Sequence, residues 1–100
     1  MDEPLPLTYD KMIELFQNRP NPFDEATFIN YEIKERLPSR NGTLFVKDLT
    51  GKTIKRFDAP LHVGYHEILY THGYNSTGTF IYGIEMDGRI LAQKRMVFAF

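Results

Sequence analysis

Apolar and polar residues alternate along most of this chain. Thr27, Ile29, Tyr31 and Ile33 alternate with Phe28, Asn30 and Glu32, the period of two of a half-buried strand. The same pattern predicts a strand over residues 43–47, with Leu44 and Val46 on one face, and others over 53–57 and 65–70. Residues 79–85 form a sixth, with Phe80, Tyr82 and Ile84 on one face and Ile81 and Gly83 on the other. Residues 89–100 read as one strand, or as a strand pair broken near Gln93. Ile90, Met96, Phe98 and Phe100 share one parity there, and Leu91 and Val97 the other. Residues 11–17, with Met12, Ile13, Leu15 and Phe16, fit a short helical turn or a first strand with Ile13 and Leu15 inward. Their brevity before a proline corner favours the strand.

That corner, residues 18–24, is the stretch the rest is organised around. Pro20 and Pro22 fix their own φ, lack backbone donors and push Arg19 and Asn21 into extended conformations. Phe23 is its one large apolar residue and is expected to pin it to the core. A corner feeding a strand suggests a chain crossing from one sheet to another. Asp48-Leu49-Thr50-Gly51-Lys52 is a tight turn, with Gly51 able to take positive φ and Asp48 able to bond nearby backbone. Residues 43–57 are therefore a hairpin. Asp87-Gly88 is the strongest short-range hairpin signal in the chain. Residues 34–41, 58–64 (with Pro60) and 71–78 read as loops, and Asn41-Gly42 as a turn. Seven short strands with turn signals between them imply an all-β, antiparallel sandwich. Residues 1–11, with Pro4 and Pro6, read as a linker or tail, and 12–100 as one domain.

Composition narrows the function classes. Eight Phe and six Tyr in 100 residues suffice for one sandwich core. Twelve basic residues face thirteen acidic ones, so no basic surplus argues for nucleic acid. The absence of cysteine excludes thiol catalysis, disulfides and Cys-based zinc sites. No apolar run is long enough for a membrane helix. Met1-Asp2-Glu3-Pro4 is not an export signal, so the chain is either cytosolic or cut from a longer precursor.

Candidate chemistry is sparse. His62, His66 and His72 lie close in sequence but lack a tight ligand spacing, so surface or edge histidines are the simpler reading. Carboxylates such as Asp24, Glu32, Asp58 and Glu85 are scattered over turns and solvent faces, and no nucleophilic triad is visible. The domain is not read as an enzyme, and no cofactor or metal is expected. Asn41-Gly42-Thr43 and Asn75-Ser76-Thr77 are formal glycosylation acceptors. The aromatic set could form a sugar-stacking platform, but strand spacing makes Tyr31, Phe80 and Tyr82 core residues.

Four segments, in order, resemble a known family. They are Leu15–Phe23 with Gln17-Asn18-Arg19-Pro20-Asn21-Pro22-Phe23, followed by strand residues Thr27 to Ile33; Val46–Lys52 with Asp48-Leu49-Thr50-Gly51-Lys52; Gly64-Tyr65-His66-Glu67; and Gly78 to Glu85 through Asp87-Gly88 to Lys94-Arg95-Met96-Val97. Together they are similar to the type A C-terminal sorting domain of the type IX (Por) secretion system of Bacteroidetes, over about residues 12–100.

The resemblance implies a seven-stranded immunoglobulin-like sandwich at the C-terminus of a larger cargo. The cargo would enter the periplasm by its own N-terminal signal. This domain would be read by the outer-membrane type IX translocon and removed by a sortase-like surface protease within or before residues 1–12. The cargo would then be released or joined to lipopolysaccharide at the cell surface. Translocon recognition would fall on Gly78, Tyr82, Asp87, Gly88, Lys94, Arg95, Met96 and Val97. The family's structural motif would be Asn18, Pro20, Asn21, Pro22, Phe23, Asp48, Leu49, Gly51, Lys52, Gly64 and His66. Strand addition or edge docking at the last hairpin, residues 79–100, would give affinity, and Lys94 and Arg95 would set register. An exposed edge strand would also allow weak dimers. The family often has a basic end, where this chain has Val97-Phe98-Ala99-Phe100, and a large residue where it has Gly83. Gly83 is expected to thin one face. The alternative is an adhesion, carbohydrate-binding or spacer module of a surface protein, since fold does not settle function.

Overall fold

The alternating runs become seven strands in a computed structural model that describes residues 11–71 and 77–99. They are β1 (Ile13–Leu15), β2 (Ala26–Ile33), β3 (Asn41–Asp48), β4 (Thr53–Pro60), β5 (Gly64–Thr71), β6 (Gly78–Met86) and β7 (Arg89–Phe98). Two antiparallel sheets face each other, one ordered β1-β2-β5 and the other β4-β3-β6-β7. This is a seven-stranded immunoglobulin-like sandwich. Residues 11–17 resolve as a strand. Asn75 and Ser76, His72, the tail over residues 1–10 and Phe100 lie outside the described residues.

The core follows from the pleat. Thr27, Ile29, Tyr31 and Ile33 are buried along β2, and Leu44, Val46, Phe80, Tyr82 and Ile84 face them from the other sheet. The expectation that Tyr31, Phe80 and Tyr82 are core residues therefore holds. Burying such side chains contributes roughly 1.5–3 kcal/mol each relative to exposure.

Several expectations need correction. β3 begins at Asn41 and β4 runs to Pro60, with Asn41 opposite Pro60; neither the Asn41-Gly42 turn nor a loop at Pro60 exists. Proline is tolerated there because β4 is an edge strand and needs no donor outward. Leu37 and Leu61, both in connecting segments, are buried. β7 is continuous, and the irregularity lies at Leu91 instead of Gln93. Ile84 pairs with Ala92 and Glu85 with Ile90, leaving Leu91 as the extra residue of a bulge. A bulge flips side-chain parity, so Ile90 before it is exposed while Met96 and Phe98 after it are buried, and Leu91 within it is buried too.

Gly83 does not thin its face. Phe45, opposite it on β3, is only 2% exposed on the outer side of the sheet. A Cβ on Gly83 would sit 2.6 Å from the Phe45 ring and 2.6 Å from the Ala92 carbonyl. The ring occupies the space that the glycine leaves.

The turns match their residue types. Asp87 and Gly88 both have positive φ, 51° and 79°, as a two-residue type I′ hairpin requires. Gly51 has φ 94°. In that turn the Asp48 carboxylate accepts from the Thr50 amide at 2.9 Å, the Thr50 hydroxyl at 2.6 Å and the Lys52 amide at 3.0 Å.

Candidate functional site

The proline corner does not carry the chain into the other sheet. β1 and β2 are antiparallel neighbours in one sheet, and Arg19 and Phe28 extend their pairing by two backbone bonds of 3.0 and 2.8 Å. Between them the chain swings out, touches β7 of the opposite sheet, and returns. The Phe23 amide donates to the Val97 carbonyl at 3.0 Å, and the Ala99 amide donates to the Phe23 carbonyl at 2.9 Å. The Val97 amide donates to Asn21 Oδ1 at 2.9 Å. Gln17 Nε2 donates to the Arg95 carbonyl at 2.7 Å. Phe23 itself wedges between the sheets, 6.0 Å from the Tyr70 ring and 5.3 Å from Phe98, edge-on to both.

The corner is held from inside by buried polar groups. Asn18, 1% exposed, donates through Nδ2 to the Pro20 carbonyl and to Thr27 Oγ1, each at 3.0 Å. Its Oδ1 accepts from Gln17 Nε2 at 2.7 Å. Thr27 Oγ1 donates to the same Pro20 carbonyl at 2.8 Å. From the other sheet, the Tyr82 hydroxyl accepts from the Asn18 amide at 2.9 Å and donates to the Phe16 carbonyl at 2.7 Å. Burial pushes the Tyr82 phenol from its usual 10.0 up to about 12, because the phenolate would lose its hydration. The residues of the Gln-Asn-Arg-Pro-Asn-Pro-Phe run thus form one structure with the β6–β7 hairpin.

This bears on the residues to which the resemblance assigns recognition. Tyr82 and Met96 are fully buried, so their side chains support the hairpin from within. Asp87 and Gly88 are exposed at its turn, and Lys94 and Arg95 are exposed on β7. Gly78 is half-buried at the start of β6, opposite Phe98. Val97 is half-buried, and its outward backbone is taken by Asn21 and Phe23. From the Arg95 carbonyl to the Ala99 amide, the β7 edge is therefore largely occupied by the corner, which restricts strand addition there.

The remaining motif residues are distributed. Asp48, Gly51 and Lys52 build the β3–β4 turn, with Leu49 60% exposed on it. Gly64 opens β5 opposite Ile33. His66 stacks on Tyr31 at 4.9 Å, and its Nε2 lies 2.8 Å from the His62 carbonyl. The two histidine rings meet edge-on at 4.4 Å. Among the described residues no group of three or more His, Cys, Asp or Glu is placed to hold a metal ion.

A second surface escaped the sequence reading. The outer face of the β1-β2-β5 sheet carries Phe28, 46% exposed, and Tyr65, 72% exposed. Phe16 stacks beside Tyr65 with centroids 6.1 Å apart and rings 21° from parallel. These rings border a groove of about 570 Å³, completed by Gln17, Arg19, Asn30 and Glu67. The signal was the outward parity of Phe28 on a strand whose other parity was already full.

The chain matches no protein-family model and no curated protein. The functional reading therefore rests on the residues and their arrangement.

Proposed function

We propose that this domain is a type IX secretion sorting signal, a C-terminal address that directs an attached N-terminal cargo domain across the outer membrane. The supporting observation is the convergence just described. Segments far apart in sequence that carry the resemblance, residues 17–23 and the β6–β7 hairpin, are built into each other by Tyr82, Asn21 and Phe23. The partners are the outer-membrane translocon and a sortase-like surface protease that removes the domain. The route is periplasm, then cell surface or medium.

In this reading the translocon meets the exposed Asp87-Gly88 turn and the Lys94 and Arg95 side chains. The corner supplies a fixed border beside them. Among the described residues no further strand pairs with the outer edges of β4 and β5, and weak strand-mediated dimers would form there.

The test is export of a fluorescent reporter, carrying a signal peptide and followed by this domain, in a bacterium with the type IX machinery and in its machinery-deficient mutant. Surface or extracellular reporter in the competent strain alone is the expected result. Reporter held in the periplasm of both strains, with the domain folded, refutes the proposal and leaves a surface-protein spacer or adhesion module.

A further inference from the structure

β2 is paired along both edges, by β1 and by β5. A ligand over its centre therefore cannot add as a strand and has to be held by side chains. Those side chains form an ordered array. Asn30 lies opposite Glu67, and Phe28 opposite Leu69, across the β2–β5 ladder. Phe16 is tied to Asn30 by a backbone bond of 3.0 Å, and Arg19 to Phe28 by the bridge already described. Phe16 lies along one flank of the Tyr65 ring, which restrains that ring although most of its surface is open.

We propose that this groove binds a neutral saccharide, with Tyr65, Phe16 and Phe28 as the stacking surface and Arg19, Asn30, Glu67 and Gln17 as the groups that read hydroxyls. The chemistry of the lining favours that class. A pyranose has an apolar C–H face and a rim of hydroxyls that both donate and accept. Exposed rings beside mixed donors and acceptors complement it, with the few polar groups fixing orientation. Arg19 supplies only donors and Glu67, when ionised, only acceptors. Their charges offset, so the groove has no excess field for a phosphorylated or acidic ligand.

Among the described residues neither Arg19 nor Glu67 is engaged in an ion pair, and both are exposed. Gln17 uses its Nε2 on Asn18 and Arg95, which leaves its amide oxygen to accept. Asn30 Oδ1 is buried with no hydrogen-bond partner. An unpaired buried acceptor is costly, and turning this one toward a hydroxyl sacrifices no existing bond.

The test is a titration of the whole ¹⁵N-labelled chain with cellohexaose, mannohexaose and chitohexaose, followed by NMR. The expected result is that one of them shifts the signals of Phe16, Phe28, Asn30, Tyr65 and Glu67 together, with Kd no weaker than about 1 mM. Tyr65→Ala should weaken binding at least tenfold, with Tyr65→Phe retaining most of it. Both variants should keep the wild-type melting temperature, because Tyr65 is largely exposed. No shift at the groove up to about 10 mM of any of the three sugars overturns the proposal. So does binding that Tyr65→Ala leaves unchanged. Secretion plays no part in this experiment, so its failure leaves the sorting reading standing.

Discussion

The Tyr82 hydroxyl closes a bridge to Asn18, accepting its backbone N–H at 2.9 Å while donating to the Phe16 carbonyl at 2.7 Å. One phenol from the four-stranded sheet thereby fixes the exit from β1 and the entry to the proline corner. Tyr82→Phe keeps the ring and removes only the oxygen. It leaves the Asn18 amide without that acceptor in a buried setting, which costs about 1–3 kcal/mol. Denaturant unfolding should show a lower midpoint with an unchanged m-value, since the surface exposed on unfolding is the same.

The same hydroxyl should make the domain sensitive to alkali. Burial raises the Tyr82 phenol to about 12 and pushes Tyr31 up as well. Above pH 10 the unfolded chain releases these protons while the folded chain keeps them. The unfolded state then binds fewer protons, so stability is full below pH 10 and falls as pH rises through 12, by up to about 1.4 kcal/mol per pH unit for each tyrosine. Unfolding midpoints measured from pH 8 to pH 12 should decline over this window. Tyr82→Phe, though weaker at neutral pH, should decline less steeply.

Gly83 and Phe45 form the reverse kind of pair, in which one residue needs the other to be absent at Cβ. Gly83→Ala places a methyl 2.6 Å from the Phe45 ring and 2.6 Å from the Ala92 carbonyl. Overpacking of this kind costs about 1–3 kcal/mol. Phe45→Leu relieves only the ring contact, since the Ala92 backbone stays in place. A double-mutant cycle of melting temperatures should therefore show partial rescue; full additivity would mean the ring does not contact the glycine.

How far the fold could be read from sequence depended on what each residue answers to. The β2 alternation was legible because one face of that strand is buried throughout. Asp87-Gly88 was legible because its φ angles suit few other residue pairs. Leu91 was not, because a bulge reverses parity and nothing local marks it. Leu37 and Leu61 were not, because isolated apolar residues in polar segments carry no period. At the corner, Phe23 was expected in the core, yet its pairing with Val97 and Phe98 is a long-range contact that no local pattern encodes. The groove was missed because Phe28 and Tyr65 read equally well as cross-strand packing until the sheet is seen to lack a layer over them among the described residues.

The Asp48 turn should respond to acid. Hydrogen bonds from the Thr50 side chain first, and then from the Lys52 and Thr50 amides, hold its carboxyl below the usual 3.8. A depressed carboxyl contributes stability that is present above its unfolded pKa and lost as pH falls through the folded one. Asp48→Ala should lower the melting temperature at pH 7. The difference from wild type should shrink as pH falls below about 4. A gap that persists unchanged to pH 2 would mean that the turn does not depend on the ionised carboxylate.

Fold and export should separate when the corner and the exposed basic pair are altered independently. Deleting residues 94–100 cannot do this, because it removes buried Met96 and Phe98 along with the backbone that anchors the corner. Asn18→Ala deletes an amide that accepts from Gln17 and donates to Pro20 and Thr27, and should cost about 1–3 kcal/mol. Its export should fall only as far as its folded fraction falls. Lys94→Glu with Arg95→Glu changes two exposed side chains, so stability should move by no more than about 0.5 kcal/mol per site. In the reporter strain that double variant should stay folded in the periplasm and fail to reach the surface. Normal export of the double variant would remove Lys94 and Arg95 from the recognition surface and leave the Asp87-Gly88 turn as the next segment to alter.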